Sequence, residues 1–143
     1  MTPTSVVDAR AGNYWPTPEQ ELLLRAALLP GPVAVGAWNE VRPRVDLDSI
    51  DPGSQRLLPL LYRNLRRLRV DDPWLPRLKG LYRYAWSRNQ MLFHHAGALL
   101  GALAQSEIPT MLLKGAAAVL SPYGGDPGLR PMHDFDLLVP TAR

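Results

Sequence analysis

Two carboxylates stand two residues apart near the end of the sequence, at Asp134 and Asp136, directly before an apolar, β-prone run. Alternate residues of a strand face the same side, so a strand that begins here would point both carboxylates one way and turn Phe135 into the core. Hard oxygen ligands held together at the start of a rigid strand form half of a site for Mg²⁺. The spacing therefore predicts a metal site, and a surface turn with a charged strand end is the alternative.

A second candidate strand lies upstream, ends in Lys114-Gly115 and is followed by an alanine-rich segment. Glycine lets the backbone turn sharply and approach a ligand closely. Helix N-termini present unpaired amides and positive potential, which suit phosphate groups. In combination with the carboxylate pair, this turn predicts an enzyme that handles nucleotide phosphates. The simpler alternatives are an exposed lysine and a glycine that only ends a strand.

Arg130 lies four residues before Asp134, at the end of a loop rich in glycine and proline. A guanidinium in this position could neutralise the charge of a triphosphate, and an ordinary surface arginine is the alternative. His133 would point to the opposite face of the strand from Asp134, which favours a structural role. Asn89 lies on the apolar stripe of the longest helical pattern, and we expect it to be a hydrogen-bonded polar group of the core.

Three runs of residues resemble the signature of the uncharacterised bacterial nucleotidyltransferase family of the polymerase-β-like superfamily. They are Leu112-Leu113-Lys114-Gly115, Leu129-Arg130-Pro131-Met132 and Asp134-Phe135-Asp136-Leu137. In that superfamily a strand ends in a glycine, a helix follows, and the next strand carries an Asp-x-Asp metal pair. The resemblance covers residues 107–140, about a quarter of the chain, and it matches Gly115 to the glycine.

The resemblance implies nucleotidyl transfer that depends on Mg²⁺ or Mn²⁺, with Asp134 and Asp136 as the catalytic metal ligands. It also implies a set of phosphate-binding residues, which are Lys114, Gly115, Ala116 and Arg130. Many superfamily members follow the glycine with Ser or Gly, whereas this chain has Ala116. The role of that Ser or Gly is therefore left to the backbone amides near Gly115 and to Lys114.

Such an enzyme would transfer a nucleoside monophosphate from an NTP to an acceptor hydroxyl, with two metal ions holding the attacking and leaving oxygens. The acceptor is left open among small molecules, proteins and RNA. A catalytically dead helical interaction module is one alternative function. Another is a nucleic-acid-binding helical domain that uses an arginine cluster. That cluster consists of Arg63, Arg66, Arg67 and Arg69. Its spacing is also typical of an amphipathic helix with a solvated basic face.

The composition narrows the class of protein. A chain of 143 residues can form one domain with a sizeable core. The absence of cysteine excludes a disulfide framework, a thiolate zinc site and a cysteine nucleophile. The N-terminus lacks the apolar core of a secretory signal, and the most apolar stretch, residues 91–104, is shorter than the ~18–20 residues of a membrane span. We therefore expect a soluble cytoplasmic protein without a membrane partner.

The periodicity predicts an α+β fold, with an N-terminal helical region followed by the first strand-helix-strand of a mixed sheet. The predicted domains are a flexible leader (residues 1–16), a helical region (17–107) and the start of an α/β core (108–143). Pro59 would kink the third helix or delay its start. The predicted helices cover residues 20–29, 33–41, 54–69, 74–106 and 116–120, and the predicted strands cover 110–113 and 134–139.

The predicted sheet has only two strands. Two strands are rarely stable alone in water, and further strands follow in the family that the sequence resembles. The sequence therefore predicts the N-terminal portion of a nucleotidyltransferase, truncated and inactive in this form. The unfinished sheet edge also predicts self-association through strand pairing.

Overall fold

The computed structural model of the protein describes residues 15–141. Residues 1–14, which make up most of the predicted leader, lie outside the described residues. The chain forms a helical part followed by a small strand-helix-strand part, which confirms the α+β prediction. Its elements are α1 (Pro18–Leu28), α2 (Gly31–Val41), a 3₁₀ turn (Arg42–Arg44), α3 (Pro52–Gln55), α4 (Leu58–Arg67), α5 (Leu75–Gln105), β1 (Met111–Leu112), α6 (Lys114–Leu120) and β2 (Leu137–Leu138).

Side chains satisfy free backbone amides at the start of α1 and of α3. Thr17 and Gln20 form a capping box at the start of α1. The Asp51 carboxylate caps α3 by accepting from two backbone amides, so Ser54 lies inside this helix and is buried. The predicted third helix is divided into α3 and α4, and Pro59 lies in the first turn of α4, where its missing N–H removes no helical hydrogen bond.

The core lies between the first four long helices. Buried leucines and alanines of α1, α4 and α5 pack around Trp38 of α2. The Trp38 ring meets Trp74 edge to face with centroids 5.8 Å apart, and its indole N–H donates to Asp72 at 3.1 Å. Asn64 of α4 is also buried, and its amide donates to two carbonyl oxygens near the end of α1, at 2.7 and 2.8 Å. Aromatic packing and these side-chain hydrogen bonds therefore fix how the helices meet.

Asn89 connects the long helix α5 to the loop that leads into the carboxylate pair. Its side chain is completely buried, at 0% relative exposure. The amide donates to the carbonyl oxygens of Pro127 at 2.6 Å and Arg130 at 2.7 Å, and its oxygen accepts from the Met132 amide at 3.2 Å. The prediction of a hydrogen-bonded core polar group is confirmed. One side chain thus satisfies three backbone groups of a loop that has no secondary structure of its own.

A second contact holds the start of the same loop. The Tyr82 hydroxyl donates to the Asp126 carboxylate, 3.1 Å from both oxygens, and Asp126 also accepts from the Gly128 amide at 2.8 Å. A β-carbon at Gly128 would stand 2.3 Å from a carbon of the Tyr82 ring. Glycine is therefore required here because the loop backbone lies directly against an aromatic face.

The sheet is antiparallel, with Met111 opposite Leu138 and Leu112 opposite Leu137. Both strands are shorter than predicted, and Asp134 and Asp136 lie in the segment that precedes β2, outside the strand itself. The Leu113 amide still donates to the Asp136 carbonyl at 3.1 Å, so strand-like pairing continues to the second carboxylate. Within residues 15–141 the sheet contains these two strands alone. Strand pairing between two copies of the chain stays a prediction.

None of the helices within residues 15–141 is long and apolar enough to cross a membrane. The longest, α5, spans 31 residues and carries charged and polar side chains along its length.

Replacing Asn89 by Ala is expected to lower the free energy of unfolding by about 3–5 kcal/mol, because three buried backbone groups lose their partner. Urea unfolding followed by circular dichroism measures the change. Gln90→Ala, at an exposed position of the same helix, is the matched control and should change stability by less than about 0.5 kcal/mol. Equal stability of the two variants would contradict the role given to Asn89.

The Tyr82–Asp126 contact predicts a loss of stability in alkali. Burial, followed by the hydrogen bond to Asp126, raises the pKa of Tyr82 above its ordinary value of 10.0. The unfolded chain therefore ionises first, so this contribution to stability is complete below about pH 10 and declines as the pH rises through the folded-state pKa. Tyr82→Phe should remove that component of the decline in unfolding free energy between about pH 9 and 11. Tyr84→Phe, at an exposed tyrosine of α5, should retain it.

Candidate active site

The turn between β1 and α6 begins with an unusual backbone conformation. Lys114 has φ +49° and is the first residue of α6. A residue with a β-carbon is held in the left-handed region at a cost of roughly 1–2 kcal/mol. The sequence placed the sharp turn at Gly115, but the positive φ falls on the preceding lysine. The turn is therefore made by Lys114, and Gly115 is needed for a different reason.

Gly115 is needed because another part of the chain lies against it. A β-carbon at this position would stand 2.6 Å from the Met132 sulfur and 3.3 Å from the Arg130 Nε. Met132 is buried, whereas Arg130 is exposed at the same place. The close approach predicted from the glycine is thus present, but the group that approaches is the segment before the carboxylates. This packing brings Arg130 to the start of α6, next to Gly115.

Lys114 and Asp136 form an ion pair, with the ammonium nitrogen 2.9 Å from a carboxylate oxygen. The Lys114 side chain is 66% exposed and that of Asp136 is 29% exposed. The hydrogen bond to Asp136, its charge and the charge of Asp134 raise the pKa of Lys114, which stays protonated at neutral pH. The antiparallel register sets Leu113 opposite Asp136, so Lys114 is the next residue along and its side chain can reach that carboxylate. Sequence reasoning missed this contact, because the sequence alone did not give the register of the two strands.

The segment between the carboxylates is anchored on α5. The Phe135 ring meets Phe93 edge to face, with centroids 5.4 Å apart. Phe135 thus packs inward, as the alternation predicts, whereas Asp134 is exposed and Asp136 is directed at Lys114. Asp134 also contributes to the raised pKa of Lys114, so both carboxylates act on the same ammonium group.

The donor set suits a hard divalent cation. Mg²⁺ is commonly held by one or two carboxylates together with water and substrate phosphates. Asp134 and Asp136 supply two such carboxylates on a segment fixed by Phe135 and by the Leu113–Asp136 backbone hydrogen bond. Within residues 15–141 there is no cluster of three or more acidic or histidine side chains that could form a metal cage. Water and substrate oxygens would have to complete the coordination of any ion bound here.

The other candidate residues lie elsewhere. His133 is exposed and borders a cavity on the side of α5. Tyr123 packs against the helical core. The arginine cluster occupies the C-terminal end of α4 and the turn after it, and all four of its side chains are exposed. Nucleic-acid binding by the arginine cluster stays a prediction. Ala116 is buried in the first turn of α6, so its methyl group is not available to a ligand.

The contact between Gly115 and Met132 is testable by a double-mutant cycle. Gly115→Ala is expected to lower the free energy of unfolding by about 1–3 kcal/mol, because the new methyl group overlaps the Met132 side chain. The same substitution in a Met132→Ala background should cost clearly less, since the obstructing atoms are gone. Gly97→Ala, whose new β-carbon would meet nothing within 4 Å, is the control and should stabilise by about 0.5–1 kcal/mol. An unchanged cost of Gly115→Ala in the two backgrounds would show that the contact is not responsible.

Comparison with known proteins identifies one family. The family model described as "Uncharacterised nucleotidyltransferase" matches residues 53–143, which is nearly two thirds of the chain. The match begins in α3 and includes α4, α5, the turn at Lys114 and the carboxylate pair. No curated protein and no solved structure matches the chain. The chain therefore belongs to this family of uncharacterised nucleotidyltransferases.

Proposed function

We propose that this chain binds an NTP together with Mg²⁺ (or Mn²⁺) and takes part in transferring the nucleoside monophosphate to an acceptor hydroxyl, with release of pyrophosphate. Membership of a nucleotidyltransferase family supports transfer from an NTP in general terms. The observation that carries the more specific proposal is the meeting of Lys114 with Asp136 at a turn where Arg130 also lies. Cationic groups for phosphates and carboxylates for a metal are thereby brought together.

In this proposal Asp134 and Asp136 hold the metal, which supplies charge stabilisation to the phosphate oxygens. The carboxylates are fixed before any ligand arrives, because Phe135 is packed on α5 and the Asp136 backbone is paired with Leu113. Holding ligands in place in this way lowers the reorganisation that binding requires. Metal alone should bind weakly, because two carboxylates leave most coordination positions to water.

Lys114 has two roles in the proposal. Without nucleotide its ammonium group neutralises Asp136, as the 2.9 Å ion pair indicates. With that carboxylate engaged by a metal ion, the exposed Lys114 side chain would be free to turn toward the triphosphate. Arg130 and the backbone amides of Gly115 and Ala116 would bind the same phosphates, because all of them lie at the start of α6.

The acceptor is an open part of the proposal, and small molecules, proteins and RNA all provide hydroxyl groups. We place the reaction in the cytoplasm, where NTPs are available.

The test is NTP binding by calorimetry, with each of the four NTPs in Mg²⁺ and in EDTA. We expect at least one NTP to bind only with Mg²⁺, and Asp136→Asn to weaken that binding by more than about tenfold, because a charged ligand is lost without a change in volume. Asp48→Asn is the matched control, since it removes an exposed surface carboxylate that pairs with Arg77 instead. In any reaction mixture of NTP, Mg²⁺ and an acceptor that releases pyrophosphate with the native protein, Asp136→Asn should abolish the release.

Lys114 can be tested against a matched control, because the chain contains only one other lysine, Lys79. Lys114→Gln should weaken the same binding by about tenfold, whereas Lys79→Gln, on an exposed part of α5, should leave it unchanged. NTP binding that is equal in EDTA, or equal in Asp136→Asn and the native protein, would rule out the proposed site.

A further inference from the structure

A cavity of about 210 Å³ lies on the side of α5 where His133 is found. It is enclosed by α3 and the start of α4, by the first half of α5 and by residues 131–133. We call it the α4–α5 cavity. Its volume is below the ~300–1,000 Å³ typical of sites for drug-sized ligands, so it has room for a body of about one ring.

The α4–α5 cavity has an apolar interior and a cationic border. Pro59, Leu81, Ala85 and Met132 provide apolar surface. The border is formed by polar and charged side chains, of which the cationic ones are Arg56 and Arg88. No aspartate or glutamate is among the residues that line it. A ligand with an apolar body and a negative end would match this distribution.

The two arginines differ from four others in the helical part, although the arginine cluster and Arg83 also lack ion pairs in the described residues. Arg25, Arg42, Arg44 and Arg77 each form an ion pair with a carboxylate, and no ion pair within residues 15–141 includes Arg56 or Arg88. Arg88 donates to the Tyr84 hydroxyl at 3.1 Å, which holds its guanidinium at the border of the cavity. Two guanidiniums without a carboxylate, facing one space, favour an anionic ligand.

The backbone around the cavity is fixed before a ligand enters. Asn89 lines the cavity and holds the Met132 backbone through its buried hydrogen bond. Prolines at positions 52, 59 and 131 restrict the backbone on two sides. A preformed site loses little entropy on binding, so even a small ligand can bind measurably.

We propose that the α4–α5 cavity is a binding site for a small organic anion, a phosphate or a carboxylate attached to a body of one ring. The ring lies against Pro59, Leu81 and Ala85, and the anion is bound between Arg56 and Arg88. This site is separate from the proposed metal and triphosphate site at Lys114, and it is joined to it by the backbone, because His133 precedes Asp134 directly.

Four probes test the proposal by calorimetry in EDTA, without NTP, so that the metal site is not involved. They are phenyl phosphate, benzoate, benzyl alcohol and inorganic phosphate. Phenyl phosphate should bind most tightly, because two guanidiniums can share its doubly charged oxygens and its ring fills the apolar interior. Saturable binding of benzoate in place of phenyl phosphate would support the site and assign it to carboxylates.

Arg56→Gln and Arg88→Gln should each weaken phenyl phosphate binding by at least about tenfold. Arg83→Gln, at an exposed position of α5 that does not line the cavity, should leave it unchanged. All three sites are exposed, and circular dichroism verifies that each variant is folded. The proposal is overturned if neither organic anion binds, if benzyl alcohol or inorganic phosphate binds as tightly as phenyl phosphate, or if both arginine variants bind normally.

Discussion

The buried carboxamide of Asn89 is the interaction on which the candidate site depends. Loop residues between α6 and the carboxylates make few backbone hydrogen bonds among themselves, and buried polar groups without partners are expensive. Asn89, on the long helix α5, forms hydrogen bonds with three backbone groups of the loop. Tyr82, earlier on the same helix, holds the loop through its hydrogen bond to Asp126. The positions of Asp134 and Asp136 therefore depend on the attachment of the preceding loop to α5, because the two-residue strands could not fix them alone.

Charged side chains are distributed unevenly around residues 131–136. On one side of residues 131–136, two carboxylates face a single lysine, so this group has one negative charge in excess. On the other side, Arg56 and Arg88 border a cavity without any carboxylate. Exposed ion pairs contribute little to stability, so the Lys114–Asp136 pair is better understood as a property of the site than as a support of the fold.

The sequence predicted most of the helices, because their caps and periodicity are local signals, as Thr17 and the long stripe of α5 illustrate. It predicted that Gly115 is closely approached and that Phe135 packs inward. It could not predict the positive φ of Lys114, the length of the strands or the partner of Gly115. These depend on which distant residues meet, and Met132 gives no local indication that it will lie against a glycine far along the chain.

Met132 occupies a position with consequences for both sides of the molecule. Its sulfur lies against the start of α6, and the same side chain lines the α4–α5 cavity. The Met132 side chain thus lies between the start of α6 and the α4–α5 cavity. Methionine is unbranched and adapts its shape more readily than other apolar residues. A ligand that displaces the Met132 side chain on one side would therefore change the packing on the other side. Thermodynamic linkage requires any such influence to be equal in both directions, so ligands at the two proposed sites would be coupled through this one side chain.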